Sequence, residues 1–337
     1  MNHYTTVAII SLAIFALIIV GQKNHGKQIV SNKKTVITTP LPTPSLYSPL
    51  FIENLYKRIS KFVIINIEKE AYRSRKFTAY IINYESEGKK IYALMSIPNN
   101  SNITKKYPVI VFNHGYIDPK NYSTISSYKA TFDTYAAYDF IVIKSDYRAN
   151  GKSEGDKTDP LNRLSYPVDI LNLIEGVKSL PQADINNIFI WGHSLGGDIS
   201  LKIIEATDKI KGVTLWAPVS ADYPESLYYF IRKNRPDNLN KIKEIVEKIV
   251  DRKDLHKLSP SQNLNKIKTP VIIHHGDNDE LVPYEWSTKL VDKMNDLKLS
   301  VNFYSYKNES HNFTRGSKST LIQRDIEFFE RIIKQKN

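Results

Sequence analysis

Ser194 lies in Gly192-His-Ser-Leu-Gly196, between an apolar run (Ile188, Phe189, Ile190, Trp191) and a helical pattern (Ile199, Leu201, Ile203, Ile204). A strand that stops, turns sharply and opens at once into a helix leaves a serine on the turn with its hydroxyl exposed. Gly192 and Gly196 suit that turn, because a Cβ at either position would crowd the neighbouring strand and helix. A serine hydroxyl is a poor nucleophile until a base removes its proton, and the usual base is a histidine held by a carboxylate. The chain supplies both further on, in the order nucleophile, acid, base. His274-His-Gly-Asp-Asn-Asp-Glu-Leu-Val-Pro283 presents Asp277, Asp279 and Glu280, and Glu309-Ser-His-Asn-Phe313 presents His311. Residue types and order therefore point to acyl transfer through Ser194 and His311, with the acid open among three carboxylates.

Acyl transfer also needs donors for the developing oxyanion. One expected donor is the backbone N–H of Leu195, directly after the nucleophile; the other is the N–H of Tyr116 in Asn113-His-Gly-Tyr116, where Gly115 permits close backbone approach. His114 precedes the serine, the wrong order for the base, and is read as structural. His193 is expected to pack beneath the turn. His274 and His275 are read as structural because metal binding would need a third ligand. Asp146-Tyr-Arg148 is read as a loop bracing the site through Arg148.

Short apolar strands must position these groups. β-rich stretches at 62–67, 77–84 and 91–98 read as antiparallel strands, the last two a hairpin over Glu85-Ser-Glu-Gly-Lys-Lys90. After them strand and helix alternate. Strands are predicted at 109–112, 140–143, 188–191, 212–217, 271–275 and 301–306. Helices are predicted at 125–138, 166–180, 197–207, 287–297 and 319–334. This alternation predicts an α/β fold with a mostly parallel, doubly wound sheet, which binds ligands at the carboxyl ends of its strands. Every candidate above falls at such an end. Residues 222–268 exceed an ordinary connection, carry Tyr223, Tyr228, Tyr229 and Phe230, and include an amphipathic helix over 239–250. They predict a small helical cap inserted over the strand ends.

The chain has 337 residues, of which 41% are hydrophobic and 24% charged, enough for a sizeable core. The net charge of +12 is spread, without a dense basic block among aromatics, and gives no support to a nucleic-acid partner. With no cysteine there is no disulfide, no thiol nucleophile and no thiolate metal site. Val7 to Val20 is apolar apart from Ser11, just enough with its flanks for a membrane span. Residues 1–21 thus read as a membrane anchor, or as a signal segment of a secreted protein if cleaved. No basic residue precedes the run and no Ala-x-Ala-like site follows it, which favours the anchor. Lys23, Lys27, Lys33 and Lys34 would keep the domain cytoplasmic, whereas many hydrolases of this layout are exported; the side of the membrane stays open. Residues 22–49 read as a proline-rich linker, and 50–337 as the catalytic domain with its cap.

Gly192-His-Ser-Leu-Gly-Gly197, Asp146-Tyr-Arg-Ala-Asn-Gly-Lys-Ser153 and His311-Asn-Phe313 resemble the α/β-hydrolase superfamily. The nearest likeness is to the catalytic domain of the prolyl oligopeptidase (S9) family and its esterase relatives. Ile267-Lys-Thr-Pro-Val-Ile-Ile-His-His-Gly-Asp-Asn-Asp-Glu-Leu-Val-Pro283 is similar to the block that carries that family's catalytic acid, three residues after the glycine. The resemblance therefore implies Asp279 as the acid. It also implies an α/β-hydrolase fold and a serine hydrolase that needs neither cofactor nor metal, acting on a small ester or short peptide. Leu195 stands where the peptidases commonly carry an aromatic residue. No pair of glutamates suited to a peptide amino terminus is recognisable, and the chain has no room for their propeller. An acyltransferase or thioesterase with the same triad, and a catalytically silent binding module, are the alternative readings.

Overall fold

The computed structural model describes residues 48–99, 105–157, 159, 162–249 and 252–335. The anchor at 1–21 and the linker as far as residue 47 lie outside the described residues; Ser48 and Pro49 begin a short 3-10 turn, Ser48–Leu50. Among the described residues no helix is long and apolar enough to cross a membrane.

The chain opens with three antiparallel strands, β1 (Asn66–Arg73), β2 (Phe77–Ser86) and β3 (Lys89–Pro98). The alternating units follow: β4 (Tyr107–Asn113), α1 (Lys129–Ala136), β5 (Ile141–Ser145), α2 (Asn162–Gly176), β6 (Ala183–His193), α3 (Leu195–Ala206) and β7 (Ile210–Trp216). The insertion at 222–268 contributes α4 (Glu225–Asn234) and α5 (Leu239–Ile249). The chain then closes with β8 (Val271–Gly276), α6 (Tyr284–Asp296), β9 (Val301–Tyr306) and α7 (Lys318–Lys334). The nine strands form one sheet in the order β1-β2-β3-β5-β4-β6-β7-β8-β9, parallel from β5 to β9. From β4 the chain steps to β5 on one side and then to β6 on the other. That reversal opens a crevice at the carboxyl ends of β4 and β6.

Period-2 alternation divides the core into two unlike layers. Val109, Val111, Ile188, Ile190, Val213, Leu215, Val271 and Ile273 join an aliphatic layer with α2, α3 and α6. The residues between them (Ile110, Phe112, Phe189, Trp191, Trp216, Ile272) join a layer rich in aromatics against α1 and α7. Phe112 and Trp191 stack at 4.0 Å across β4 and β6, directly behind the crevice. Burying each such side chain stabilises the fold by about 1.5–3 kcal/mol before entropy costs. A small third cluster anchors the insertion: Tyr223, Leu227, Val246 and Leu258 pack with Phe51 and Leu164.

Several elements differ from expectation: β6 begins at Ala183 rather than 188, α2 and α6 each begin a few residues early, and three further differences stand out. The first strand begins at Asn66, not at Phe62, and runs on through Glu68, Lys69 and Glu70, because an edge strand tolerates charge on its open face. Residues 62–65 lie outside the sheet, with Val63 and Ile65 buried. Second, α1 starts only at Lys129, after a left-handed Tyr128 (φ 59°) that separates it from the preceding turns. Third, α4 is a helix where the sequence showed only an aromatic cluster.

Candidate active site

Strand β6 delivers Ser194 to the crevice with φ 56° and ψ −119°, a conformation that costs a non-glycine residue on the order of 1–3 kcal/mol. The neighbours fix that geometry. Trp216 accepts a hydrogen bond from the Ser194 N–H at 2.9 Å, and the Ser194 carbonyl accepts from Gly197 (2.9 Å) and Val219 (3.0 Å). Any Cβ on Gly196 would run into the Asn113 carbonyl, and one on Gly197 would stand 2.5 Å from Pro218 Cβ. The first turn of α3 can therefore sit on β4 and on the loop after β7 only because both positions are glycine. Leu195 is the first residue of α3, so its N–H has no helical carbonyl a turn earlier to bond.

The loop after β4 runs beside the serine. A Cβ on Gly115 would stand 3.1 Å from Ser194 Cβ, and the adjacent Tyr116 has an exposed side chain. Gly115 donates its N–H to Tyr128 Oη at 3.1 Å, and Tyr128 Oη lies 2.6 Å from His193 Nδ1. His193 Nε2 lies 3.1 Å from the His311 carbonyl oxygen, so that nitrogen carries the proton. The Tyr128 hydroxyl then accepts from Gly115 and donates to His193. Burial first, and the nearby His311 second, push the His193 imidazole down to about 3, keeping it neutral.

The loops after β8 and β9 bring Asp279 and His311 together, with Nδ1 of His311 at 2.7 Å from Asp279 Oδ2. The Asp279 side chain is fully buried and that of His311 nearly so. Asp279 Oδ1 accepts N–H bonds from Leu281 and Val282, both at 2.8 Å. Burial alone would raise this carboxyl, but the bonds from His275 and His311 outweigh it and hold the group well below the usual carboxylate range. The two rival acids are engaged elsewhere. Asp277 accepts from the Asn308 N–H at 2.5 Å, and Glu280 accepts the backbone N–H of His311 at 3.2 Å.

The other histidines sort by environment. His114 is stacked between Tyr122 (4.9 Å) and Tyr147 (4.4 Å), donates from Nδ1 to the Gly115 carbonyl at 2.7 Å, and is pushed down to about 3 by burial. His274 turns to the aromatic layer, where Nε2 lies 2.9 Å from Asp325, a buried carboxylate that also accepts from Thr214, Trp216 and Tyr135. His275 faces the other way and reaches Asp279 at 3.0 Å, a contact sequence reasoning did not find. Tyr128 was missed too, since nothing in its spacing marks it. Arg148 clamps Asp169 of α2 (2.6 Å) and Glu87 of the β2–β3 turn (2.9 Å), and so holds its own loop without bonding the candidate triad. Among the described residues no group of three or more His, Asp or Glu side chains could hold a metal ion.

The arrangement puts a strained serine, a buried imidazole–carboxylate pair and a glycine-bearing loop at one end of a parallel sheet. The model of the prolyl oligopeptidase family matches residues 126–336, which include Ser194, Asp279 and His311. The chain belongs to the prolyl oligopeptidase family. Dipeptidyl aminopeptidase A of Saccharomyces cerevisiae is 26% identical over 249 residues, 68% of this chain and 26% of that protein. Lysophosphatidylserine lipase of Danio rerio is 25% identical over 195 residues, 55% of this chain and 47% of that protein. The chain thus spans only about a quarter to a third of the dipeptidyl aminopeptidases it matches. Acetyl xylan esterase 1 from Thermoanaerobacterium sp. JW/SL YS485 shares the fold with a TM-score of 0.65 at 17% identity, covering 85% of this chain and 94% of that one.

Proposed function

We propose that this member of the prolyl oligopeptidase family hydrolyses an ester or amide of a small to medium substrate through an acyl-enzyme on Ser194. The observation that carries the reading is the buried 2.7 Å bond between Asp279 and His311, one ring away from the elbow that bears Ser194. In the proposed cycle Ser194 Oγ attacks the substrate carbonyl carbon while His311 Nε2 takes the hydroxyl proton. Asp279 holds the imidazole in the Nδ1–H tautomer and stabilises the imidazolium. The Leu195 and Tyr116 amides receive the oxyanion. His311 returns the proton to the departing alcohol or amine, then activates a water that releases the acid and regenerates Ser194. No step calls for a cofactor.

The cap bears on the substrate. Val219 donates to the Ser194 carbonyl, Ser220 Oγ donates to the Trp286 carbonyl at 3.0 Å, and Trp286 packs edge-on against Tyr229 (5.1 Å) and Phe230 (6.0 Å) of α4. An aromatic group tied this closely to the elbow supports an apolar acyl or leaving group. The apolar run at 7–20 supports delivery of the domain to a membrane, and alkaline extraction of membranes from expressing cells tests that part separately. A fluorophosphonate probe tests the chemistry: labelling that requires Ser194 and His311 supports it, and equal labelling of Ser194→Ala overturns it. A panel of p-nitrophenyl esters beside aminoacyl and prolyl amides then separates esterase from peptidase.

A further inference from the structure

Asp279 carries two imidazoles, and the proposed reaction uses only one. Strand β8 ends in His274-His275-Gly276, and a Cβ on Gly276 would meet the Glu309 backbone, so the strand end approaches the His311 loop as closely as glycine allows. His275 Nε2 lies 3.0 Å from Asp279 Oδ2 and 3.3 Å from the Val282 carbonyl. Both partners are acceptors, so Nε2 carries the proton. Nδ1 lies 2.7 Å from Ser287 Oγ on α6, whose hydroxyl donates to it and fixes that tautomer. His275 and Ser287 are completely buried. The groups facing His275 are Asp279, Ser287 and the Tyr284 ring (5.4 Å), with His311 and Glu280 beyond the carboxylate.

We infer that His275 is a positioning residue for His311 and acts through Asp279. The inference rests on the function proposed above and adds a residue to it. Two backbone N–H groups pin Oδ1, and His275 pins Oδ2, the oxygen that also receives His311. The carboxylate is left one orientation, in which a single direction stays open for the His311 Nδ1–H. A donor on a carboxylate also favours its charged form and draws off electron density. Losing it makes the oxygen that faces His311 more basic, so the imidazolium forms at higher pH, while the ring loses its fixed aim.

The test compares His275→Leu, His275→Gln and Ser287→Ala in the full chain. His275→Leu removes the donor at similar volume, whereas a glutamine amide reaches the Nε2 position and can restore it. For His275→Leu we expect kcat on p-nitrophenyl acetate to fall about ten- to a hundredfold with KM little changed. The acid limb of the pH–rate profile should move to higher pH, and the downfield proton resonance of the His311–Asp279 bond should shift. His275→Gln should recover part of each effect. A wild-type profile and resonance in a folded His275→Leu overturns the inference, as does a uniform loss that glutamine leaves unrescued and in which the limb does not move. If His275→Leu does not fold, Ser287→Ala decides: it keeps the ring but frees its tautomer, and an unchanged limb and resonance overturn the inference. The resonance needs no substrate, so its result stays separate from the Ser194→Ala labelling test of the hydrolase reading.

Discussion

The ring of His193, the residue before the candidate nucleophile, packs 4.6 Å from the ring of His311 and donates to its backbone carbonyl at 3.1 Å. The elbow and the His311 loop are therefore joined directly, by the side chain next to the candidate nucleophile. Burial keeps His193 neutral, and a neutral imidazole can donate from one nitrogen while accepting on the other. Its accepting nitrogen takes the Tyr128 hydroxyl, which in turn holds the Gly115 amide. One chain of hydrogen bonds thus runs from the loop beside Ser194 through the elbow to the His311 loop.

Tyr128→Phe cuts that chain at its centre. It leaves the Gly115 N–H and His193 Nδ1 without a partner in a buried setting, which costs about 1–3 kcal/mol for each group left unpaired. We expect a folded protein with lower unfolding free energy in urea. The esterase rate should fall at least tenfold with KM little altered, because the loop and the base both lose their fixed spacing from Ser194. A variant with wild-type stability and rate would show that the chain positions nothing.

Asp279→Asn keeps the shape of the acid and presents His311 with an amide that can hold the wrong tautomer. The corresponding change in a serine triad lowers kcat on the order of ten-thousandfold. Because the folded state holds the Asp279 carboxyl below its unfolded range, the stability it contributes is present above about pH 4 and is lost as pH falls through the folded value. Wild-type unfolding free energy should therefore drop more steeply below pH 4 than that of Asp279→Asn. Parallel curves from acid denaturation series would refute this assignment of the charge.

Much of this site was legible in the sequence because strand ends announce themselves. An apolar run that stops at Gly192, at Gly276 or after Tyr306 gives both a strand and the place where its loop emerges. The order Ser194, Asp279, His311 follows from those stops. Choosing Asp279 over Asp277 and Glu280 needed family position, because three acids in one loop differ only in where the chain aims them. His275 and Tyr128 were not legible for a related reason: their partners are 4 to 65 residues away and share no periodicity with them. The start of β1 was misread because Phe62 and Ile64 look like a strand, whereas the paired residues are the charged ones that follow.

Gly196→Ala tests the elbow without touching a reacting group. The added methyl would meet the Asn113 carbonyl carbon at 2.5 Å and the His114 carbonyl oxygen at 2.9 Å, and these are backbone atoms of a central strand end that cannot swing aside. Overpacking that moves backbone costs about 1–3 kcal/mol or more. We expect a lowered thermal midpoint together with loss of fluorophosphonate labelling, since α3 must move and carries Leu195 with it. A variant that labels normally at an unchanged midpoint would mean that the helix can shift at no cost.

Glu205, near the end of α3 farther from Ser194, is a buried carboxyl neither of whose oxygens has a hydrogen-bond partner among the described residues. Burial pushes it well above the ordinary range, and Lys202 offsets this only in part. For a group raised in the folded state, the contribution to stability is complete below the unfolded value, about pH 4.3, and is lost as pH rises through the folded one. At neutral pH the wild type thus carries a penalty that an uncharged side chain of the same shape avoids. Glu205→Gln should raise the unfolding free energy at pH 7 by about 1–2 kcal/mol, the saving being limited by the unpaired amide that replaces the acid. The gain should shrink toward pH 4, where the wild-type carboxyl is protonated in both states. Urea unfolding of the two proteins at pH 4.5 and pH 7 measures the difference directly, and an equal or lower stability of the variant at pH 7 would show that Glu205 has a partner that compensates its charge.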